Sequence, residues 1–438
     1  MERKFYSTSI RFFMLALCVF AVSAASAQKK AWEQLCKIPA SNAFHIASNG
    51  NFIIADYQWD LSGGIYVSED RGTTWTKTNA PDYTYNVFCE NEEYLFAAGC
   101  ECRIARSDDG GKTWEVLSYK RAVEDALGEY ADYSNAYALA IHNGKLFLGD
   151  FSGGGIIYSE DNGESWKQTD IESLSYGEVD PKLGKRNVEN FYSLASYDGE
   201  LYAFGVYFVF RYLPETNSWE TIRTDSNFMG VNTVYQGKLC TGRSVMNYSF
   251  NVPFIETLDE EGVWGEIARP VDFSDNNIRA IYGAENHLFV GMAQSGLYYT
   301  PDAGSSWASI SEGIPYSTGT NFTPMALRTD KDYVYLLAYE PPYATTTNSG
   351  LFRLALTDLP DLTGIDCIKK SEEAASYNGN ALTFAATAKQ AAVYDLSGRQ
   401  IPVSVSGNSI NVEHLNPGTY LYKATVNGAT LSGKFQKK

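Results

Sequence analysis

The chain has 438 residues, with 52 Asp and Glu against 35 Lys and Arg, for a formal charge of −17. An acid excess of this size argues against a nucleic-acid ligand, because neutralising phosphates needs a basic footprint. Thirty-one Tyr, 23 Phe and 37 Gly, with few long runs of helical periodicity, argue against a helical bundle and for strands punctuated by tight turns.

In chain order, a basic start (Arg3, Lys4, Arg11) precedes an apolar run from Phe12 to Val22. Ala25-Ser26-Ala27 then offers the small residues of a signal-peptidase site. The expectation is a signal peptide over 1–27, cleavage before Gln28 and an exported protein that is secreted or held at the outer cell surface. No later stretch approaches the roughly 20 apolar residues of a membrane-spanning helix, so no integral membrane protein is expected. The charge is uneven: 28–366 carries −23, whereas 367–438 carries +4. Seven cysteines include Cys18 in the signal, and the remaining six fit no disulfide framework or zinc spacing, which leaves their pairing open.

Repeats organise the middle of the chain. The pattern Ser/Thr-x-Asp-x-Gly-x-Ser/Thr-Trp occurs four times: Ser68 to Trp75 with Asp70, Ser107 to Trp114 with Asp109, Ser159 to Trp166 with Asp161, and Thr300 to Trp307 with Asp302. Tyr212 to Trp219 and Thr257 to Trp264 keep the tryptophan and erode the rest. On these motifs the chain resembles the Asp-box (BNR-repeat) propellers, a group that includes bacterial sialidases, xyloglucanases, the sortilin ectodomain and a photosystem assembly factor. The resemblance implies an all-β propeller and leaves activity open, because these relatives do different things. In such a box, Asp and Ser bond the local backbone, Gly permits positive φ and Trp fills the space between sheets. The boxes are therefore expected to be structural turns.

An apolar strand precedes each box, and Leu351 to Leu354 makes a seventh without one. Trp32 to Ile38 resembles the segments that follow the other box tryptophans, so it is expected to pair with Leu351 to Leu354 and complete the last sheet. Seven hairpin turns, from Asn49-Gly50 to Asp330-Lys331, give the same count. The reading is a seven-bladed propeller over 28–362, a linker over 363–380 and a small β-sandwich over 381–438. Val393 to Arg399, Leu415 to Tyr422 and the basic end Lys434 to Lys438 resemble the type A C-terminal sorting domain of the Bacteroidetes type IX secretion system. That resemblance implies the type IX machinery as a partner.

Long insertions between strands fall on the face opposite the boxes, where loops on a rigid frame commonly bind ligands. The ends of the second strands and the loops after them nominate Tyr57, Asp150, Arg243, Glu340 and Tyr343 as ligand contacts, with acids and aromatic rings suited to saccharides or cationic groups. Sialidases would require an arginine triad and an early Arg-Ile-Pro, whereas this chain has Arg103-Ile104-Ala105. Xyloglucanases of this type would require a second propeller. Four isolated histidines indicate neither a metal site nor a Ser-His-Asp triad, and no cofactor is expected. The expected role is a non-catalytic binding module for a glycan or a protein partner. The competing readings are a glycoside hydrolase and an assembly factor.

Overall fold

The computed structural model describes residues 31–437 apart from 38–40, 57–62, 180–185, 225–230, 247–250, 260, 269–277, 285, 294–295, 315–322, 340–348, 361, 363–375, 385, 396–399 and 427–428. The signal segment, Tyr57, Glu340, Tyr343 and Cys367 lie outside the described residues. Contacts divide the chain into two units, Met1–Pro360 and Asp361–Lys438.

Among the described residues the first unit holds seven four-stranded antiparallel sheets and one two-stranded hairpin, Ser175–Tyr176 with Asn187–Val188. Each large sheet opens with a lead strand: Ser41–Ile46, Tyr85–Glu90, Ala136–His142, Phe191–Tyr197, Val231–Tyr235, Ile278–Ala284 and Thr323–Thr329. Every lead strand packs beside the lead strand of the next sheet, and Thr323–Thr329 packs beside Ser41–Ile46, so the seven form a closed ring. Second strands such as Phe52–Asp56 and Leu95–Gly99 are buried along their whole length, because sheets cover both of their faces. Their unbroken apolar runs follow from that. At Asn143-Gly144, Asp198-Gly199 and Gln236-Gly237 both central residues have positive φ, the geometry of tight two-residue hairpins.

The last sheet combines both ends of the unit. Glu33–Cys36 pairs antiparallel with Gly350–Ala355, bringing Gln34 opposite Phe352. Trp32 is buried, and its indole donates to the Ile310 carbonyl at 2.5 Å. The junction to the first sheet is apolar: Trp75 shares a core with Leu35, Cys36 and Leu351. A Cβ on Gly72, at φ +88°, would lie 3.0 Å from Leu351 and 3.2 Å from Leu35, so only glycine fits this approach. The other box tryptophans repeat the arrangement. Trp114 of the second sheet shares a core with Ile53 and Val67 of the first, and Trp166 shares one with Ile104 and Leu117 of the second.

In the second unit, Ser376–Tyr377, Ala381–Thr383, Ser409–Asn411 and Ser404–Ser406 form one sheet. Gln400–Ile401, Ala388–Tyr394, Gly418–Val426 and Ala429–Lys437 form another. Leu382, Phe384 and Ile410 of the first share a core with Val393, Tyr420, Tyr422 and Phe435 of the second. Ser376–Tyr377 falls in the stretch expected to be a linker, yet it pairs with Ala381–Thr383 because the Asn378-Gly379-Asn380 turn folds it back. Cys36, Cys89, Cys100, Cys102 and Cys240 carry free thiols.

Candidate functional site

The box turns use their polar groups internally. Asp70 accepts from Ser68 Oγ at 2.8 Å, the Thr74 amide at 2.8 Å and Thr74 Oγ1 at 2.6 Å, while the Gly72 amide donates to Ser68 Oγ at 2.8 Å. The Thr74 hydroxyl, the Thr74 amide and Ser68 together hold the Asp70 carboxyl down at about 2. Asp109, Asp161 and Asp302 make the same bonds with Thr113, Ser165 and Ser306. Ties between neighbouring sheets occur at these turns: Asn51 Nδ2 donates to the Gly110 carbonyl at 2.9 Å, and Asn91 Nδ2 to Asn162 Oδ1 at 2.8 Å. Arg71 pairs with Asp330 at 3.1 Å and Asp332 at 3.0 Å, which is the same tie across the junction of the last and first sheets. Hairpin turns and boxes therefore share one face, with their hydrogen-bonding capacity largely taken up by the frame.

On the opposite face the structure places Asp150 inside the protein, at 0% exposure. Its carboxylate accepts from Ser134 Oγ and from the backbone amides of Asn135 at 3.1 Å, Ser152 at 2.7 Å and Gly154 at 2.8 Å. Burial raises its pKa despite these bonds. Asp150 thus fastens the loop after its own strand to the end of the preceding insertion, which folds as the helix Lys120–Leu127 and the 3-10 turn Gly128–Tyr133. This differs from an open ligand contact, and the reason is the glycine-rich 152–155 loop, which turns its amides inward. Glu189, at 1% exposure, does the same for the amides of Asn190, Val206 and Tyr207. Of the other nominated ligand residues, Arg243 lies within the strand Lys238–Met246 opposite Phe254.

A different constellation lies at the centre of the ring. Six of the seven lead strands carry a register shift near their start, at residues 42, 86, 137, 192, 279 and 325. A β-bulge inserts one residue and re-aims its side chain. Asn86, Tyr192, Arg279 and Met325 line a central cavity of about 180 Å³ with Ser193, Asn232 and Arg328. The amide groups are tied across sheets: Asn86 Nδ2 donates to Asn135 Oδ1 at 2.7 Å, and Asn232 Nδ2 to Ser193 Oγ. Tyr192 belongs to an aromatic group in which its ring lies 4.8 Å from Phe151 and 6.4 Å from Tyr137. Burial raises the pKa of its phenol, against the pull of Arg279, so the hydroxyl stays a neutral donor.

Arg279 is exposed, and Arg328 is half-buried with its guanidinium 5.5 Å from the Tyr282 ring and donating to the Leu327 carbonyl at 2.7 Å. Desolvation lowers the pKa of Arg328, partly offset by Tyr282. Among the described residues neither guanidinium pairs with a carboxylate, and no Asp or Glu lines the cavity. The lining is thus made of cationic, phenolic, amide and apolar groups. Sequence reading missed these residues, although an arginine inside Ile278-Arg279-Ala280-Ile281 is a visible break in a strand that otherwise packs against its neighbours. Among the described residues no group of three His, Cys, Asp or Glu gathers in a metal-binding arrangement. No described helix is long and apolar enough to cross a membrane.

No protein-family model matches the chain, and no curated protein matches it. Solved structures do. YCF48 from Cyanidioschyzon merolae is 13% identical, with 75% of this chain and 100% of that chain covered and a TM-score of 0.52. A structure of YCF48 bound to D1 peptide is 17% identical, with 75% and 96% covered and a TM-score of 0.53. The extracellular domain of BT4673 from B. thetaiotaomicron is 13% identical, with 92% of this chain covered and a TM-score of 0.52; this chain spans 47% of that one. These neighbours are β-propellers. At such identities the likeness is one of fold, and it agrees with the ring of four-stranded sheets: the chain is an all-β protein with a β-propeller fold.

Proposed function

We propose that residues 28–362 form a seven-bladed propeller closed by Glu33–Cys36, exported and followed by a sorting-type β-sandwich, and that it acts as a non-catalytic module binding a glycan or a protein at the mouth of the central channel. The observation that carries this reading is the contrast at equivalent bulge positions, where the lead strands hold four residue types, Asn42, Asn86, Tyr137, Tyr192, Arg279 and Met325, instead of one repeated residue. A structural requirement common to all blades would favour the same residue each time, as it does in the boxes. Variety at one end of a rigid ring is what recognition of an asymmetric ligand needs. The cavity lining offers donors, a positive charge and aromatic surface, a set that suits binding better than the acid pair of a glycoside hydrolase. Tyr57, Arg243, Glu340 and Tyr343 keep their place in this reading from the sequence alone, as side chains on or after the second strands. Asp70, Trp75 and their counterparts in the other boxes serve as frame.

A glycan array together with a panel of chromogenic glycosides tests the proposal. Saturable binding without turnover, lost in Arg279→Ala or Tyr192→Ala and kept in Asp70→Asn, is the expected result. Turnover of any glycoside would assign the enzyme instead, and binding lost with Asp70 but kept with Arg279 would move the site to the box face.

A further inference from the structure

Resting on the channel as the binding site, we infer that its ligand is an acidic saccharide, whose carboxylate is received by Arg279 at the mouth while its ring packs beside Tyr192. The argument starts from charge. The 28–366 segment carries −23, so an arginine on its surface would ordinarily find an acid. Arg106 pairs with Glu115 and Glu164, Arg211 with Glu220, and Arg353 with Glu33. Among the described residues Arg121, exposed on the helix Lys120–Leu127, and Arg279 and Arg328 pair with no acid, and the last two share a cavity enclosed by the lead strands. Arg328 spends one donor on the Leu327 carbonyl, whereas the Arg279 guanidinium, in a concave site without a described carboxylate, keeps its fork for an incoming anion, and a planar carboxylate matches that fork in a bidentate fashion.

The two arginines act at different depths. Arg279 stands at the bulge position, and Arg328 lies three residues beyond the equivalent point of its own strand, about 10 Å further in by strand rise. One carboxylate therefore meets Arg279 directly, and Arg328 keeps the interior positive. The acidic surface does not cancel this, because charges more than about 8 Å away through solvent are largely screened at physiological salt, whereas the partly desolvated channel is screened less. Among carriers of a carboxylate, the aromatic group at the same rim decides for a sugar. Tyr192 lines the same cavity as Arg279, and its half-buried ring is backed by Phe151 and Tyr137, giving an apolar surface for a sugar ring in the cavity that also holds a fork for its acid. A cavity of about 180 Å³ admits a terminal ring rather than a folded segment.

The test uses the full exported chain and three probes: the trisaccharide of galacturonic acid, its neutral methyl ester, and an N-acetylated hexapeptide with a free C-terminal carboxylate. By calorimetry or ligand-observed NMR the uronate should bind, with the ester about tenfold weaker or worse and the peptide weaker than the uronate, and affinity should fall as salt rises. Arg279→Ala should weaken the uronate about tenfold with unchanged melting. Arg328→Gln should weaken it less, and if that variant melts early, Arg279→Ala alone decides. Equal binding of uronate and ester overturns the acidic assignment and leaves the binding module standing. Binding of the peptide alone overturns the saccharide. Silence with all three probes, and with a neutral glycan array, overturns the channel reading itself.

Discussion

On the box face, Asp70, Asp109, Asp161 and Asp302 make the same hydrogen bonds to the same positions of their turns, and each carboxyl is held below its ordinary pKa. On the opposite face, Asp150 and Glu189 each fasten a different loop, are buried, and are pushed above theirs. Between the faces six of the seven lead strands repeat the bulge, and four different residue types stand on it. Where every blade solves one problem, the sequence repeats; where the faces of the blades must differ to form a site, it does not. The frame is therefore read from repetition and the site from departures from it.

The closure of the ring tests the frame most severely. Trp32 is buried and Glu33–Cys36 supplies the fourth strand of the last sheet. Deleting residues 31–37 would strip that sheet to three strands and expose Leu351 and Phe352. A loss of about 5 kcal/mol or more, enough to abolish a cooperative transition in a domain of ordinary stability, is expected in thermal unfolding followed by circular dichroism. An unchanged melting curve would mean that the ring does not depend on its closing strand.

Trp114 is 5% exposed between the first and second sheets, so Trp114→Ala should cost about 3–5 kcal/mol in urea unfolding. Trp264, of an eroded box, is less completely buried and should cost less when truncated. Equal costs would show that erosion of the box has not loosened the packing around its tryptophan.

Asp150→Ala carries the comparison to the other face. It would leave three backbone amides and the Ser134 hydroxyl without their acceptor, for an expected cost of about 2–4 kcal/mol, reduced if water enters the loop. Glycan affinity should change only as far as the 134–154 region moves. A large loss of binding at unchanged stability would restore Asp150 as a ligand contact.

Acid should act on the two groups of carboxylates with opposite signs. For a box aspartate the folded pKa is depressed, so its stabilisation is present above the unfolded value near 4 and lost as pH falls toward the folded value of about 2 for Asp70. For Asp150 and Glu189 the folded value is raised, so the folded state binds the proton more tightly and gains as pH falls. Between pH 5 and 2.5 the box aspartates should dominate the melting temperature, since four share one direction, and Asp302→Asn should flatten the decline. A steeper decline in that variant would contradict the hydrogen-bond account.

The frame was legible because its signals are local. Asn143-Gly144 sets a hairpin by backbone conformation alone, and each box pattern places its tryptophan within eight residues. Closure by Trp32 was legible because the N-terminal segment repeats the residues that follow other box tryptophans. The channel was not legible, since one inserted residue in six of the seven lead strands reverses which side chains face which way, and no count of alternating residues reveals the insertion. Asp150 was misread for a related reason: a carboxylate at a strand end looks the same in sequence whether it meets solvent or a ring of amides. Gly153, Gly154 and Gly155 after it were the available sign, because Gly153 and Gly155 adopt positive φ and the loop curls back to let the Gly154 amide reach the acid.

The smallest expected effect separates charge from packing at the closing junction. Arg71 lies 41% exposed between Asp330 and Asp332, so this tie between a box turn and a hairpin is built on ion pairs. Such pairs stay largely hydrated, are screened by salt and contribute about 0–1 kcal/mol. Directly beneath, Trp75, Leu35 and Leu351 share an apolar core whose burial does not depend on salt in this way. Arg71→Ala should therefore lower stability by less than about 1 kcal/mol, with the difference from wild type vanishing at 1 M salt, whereas Leu351→Ala should cost about 2–5 kcal/mol at any salt concentration. A larger cost for Arg71 than for Leu351 would make the junction electrostatic, and the ring would then be expected to open at high ionic strength.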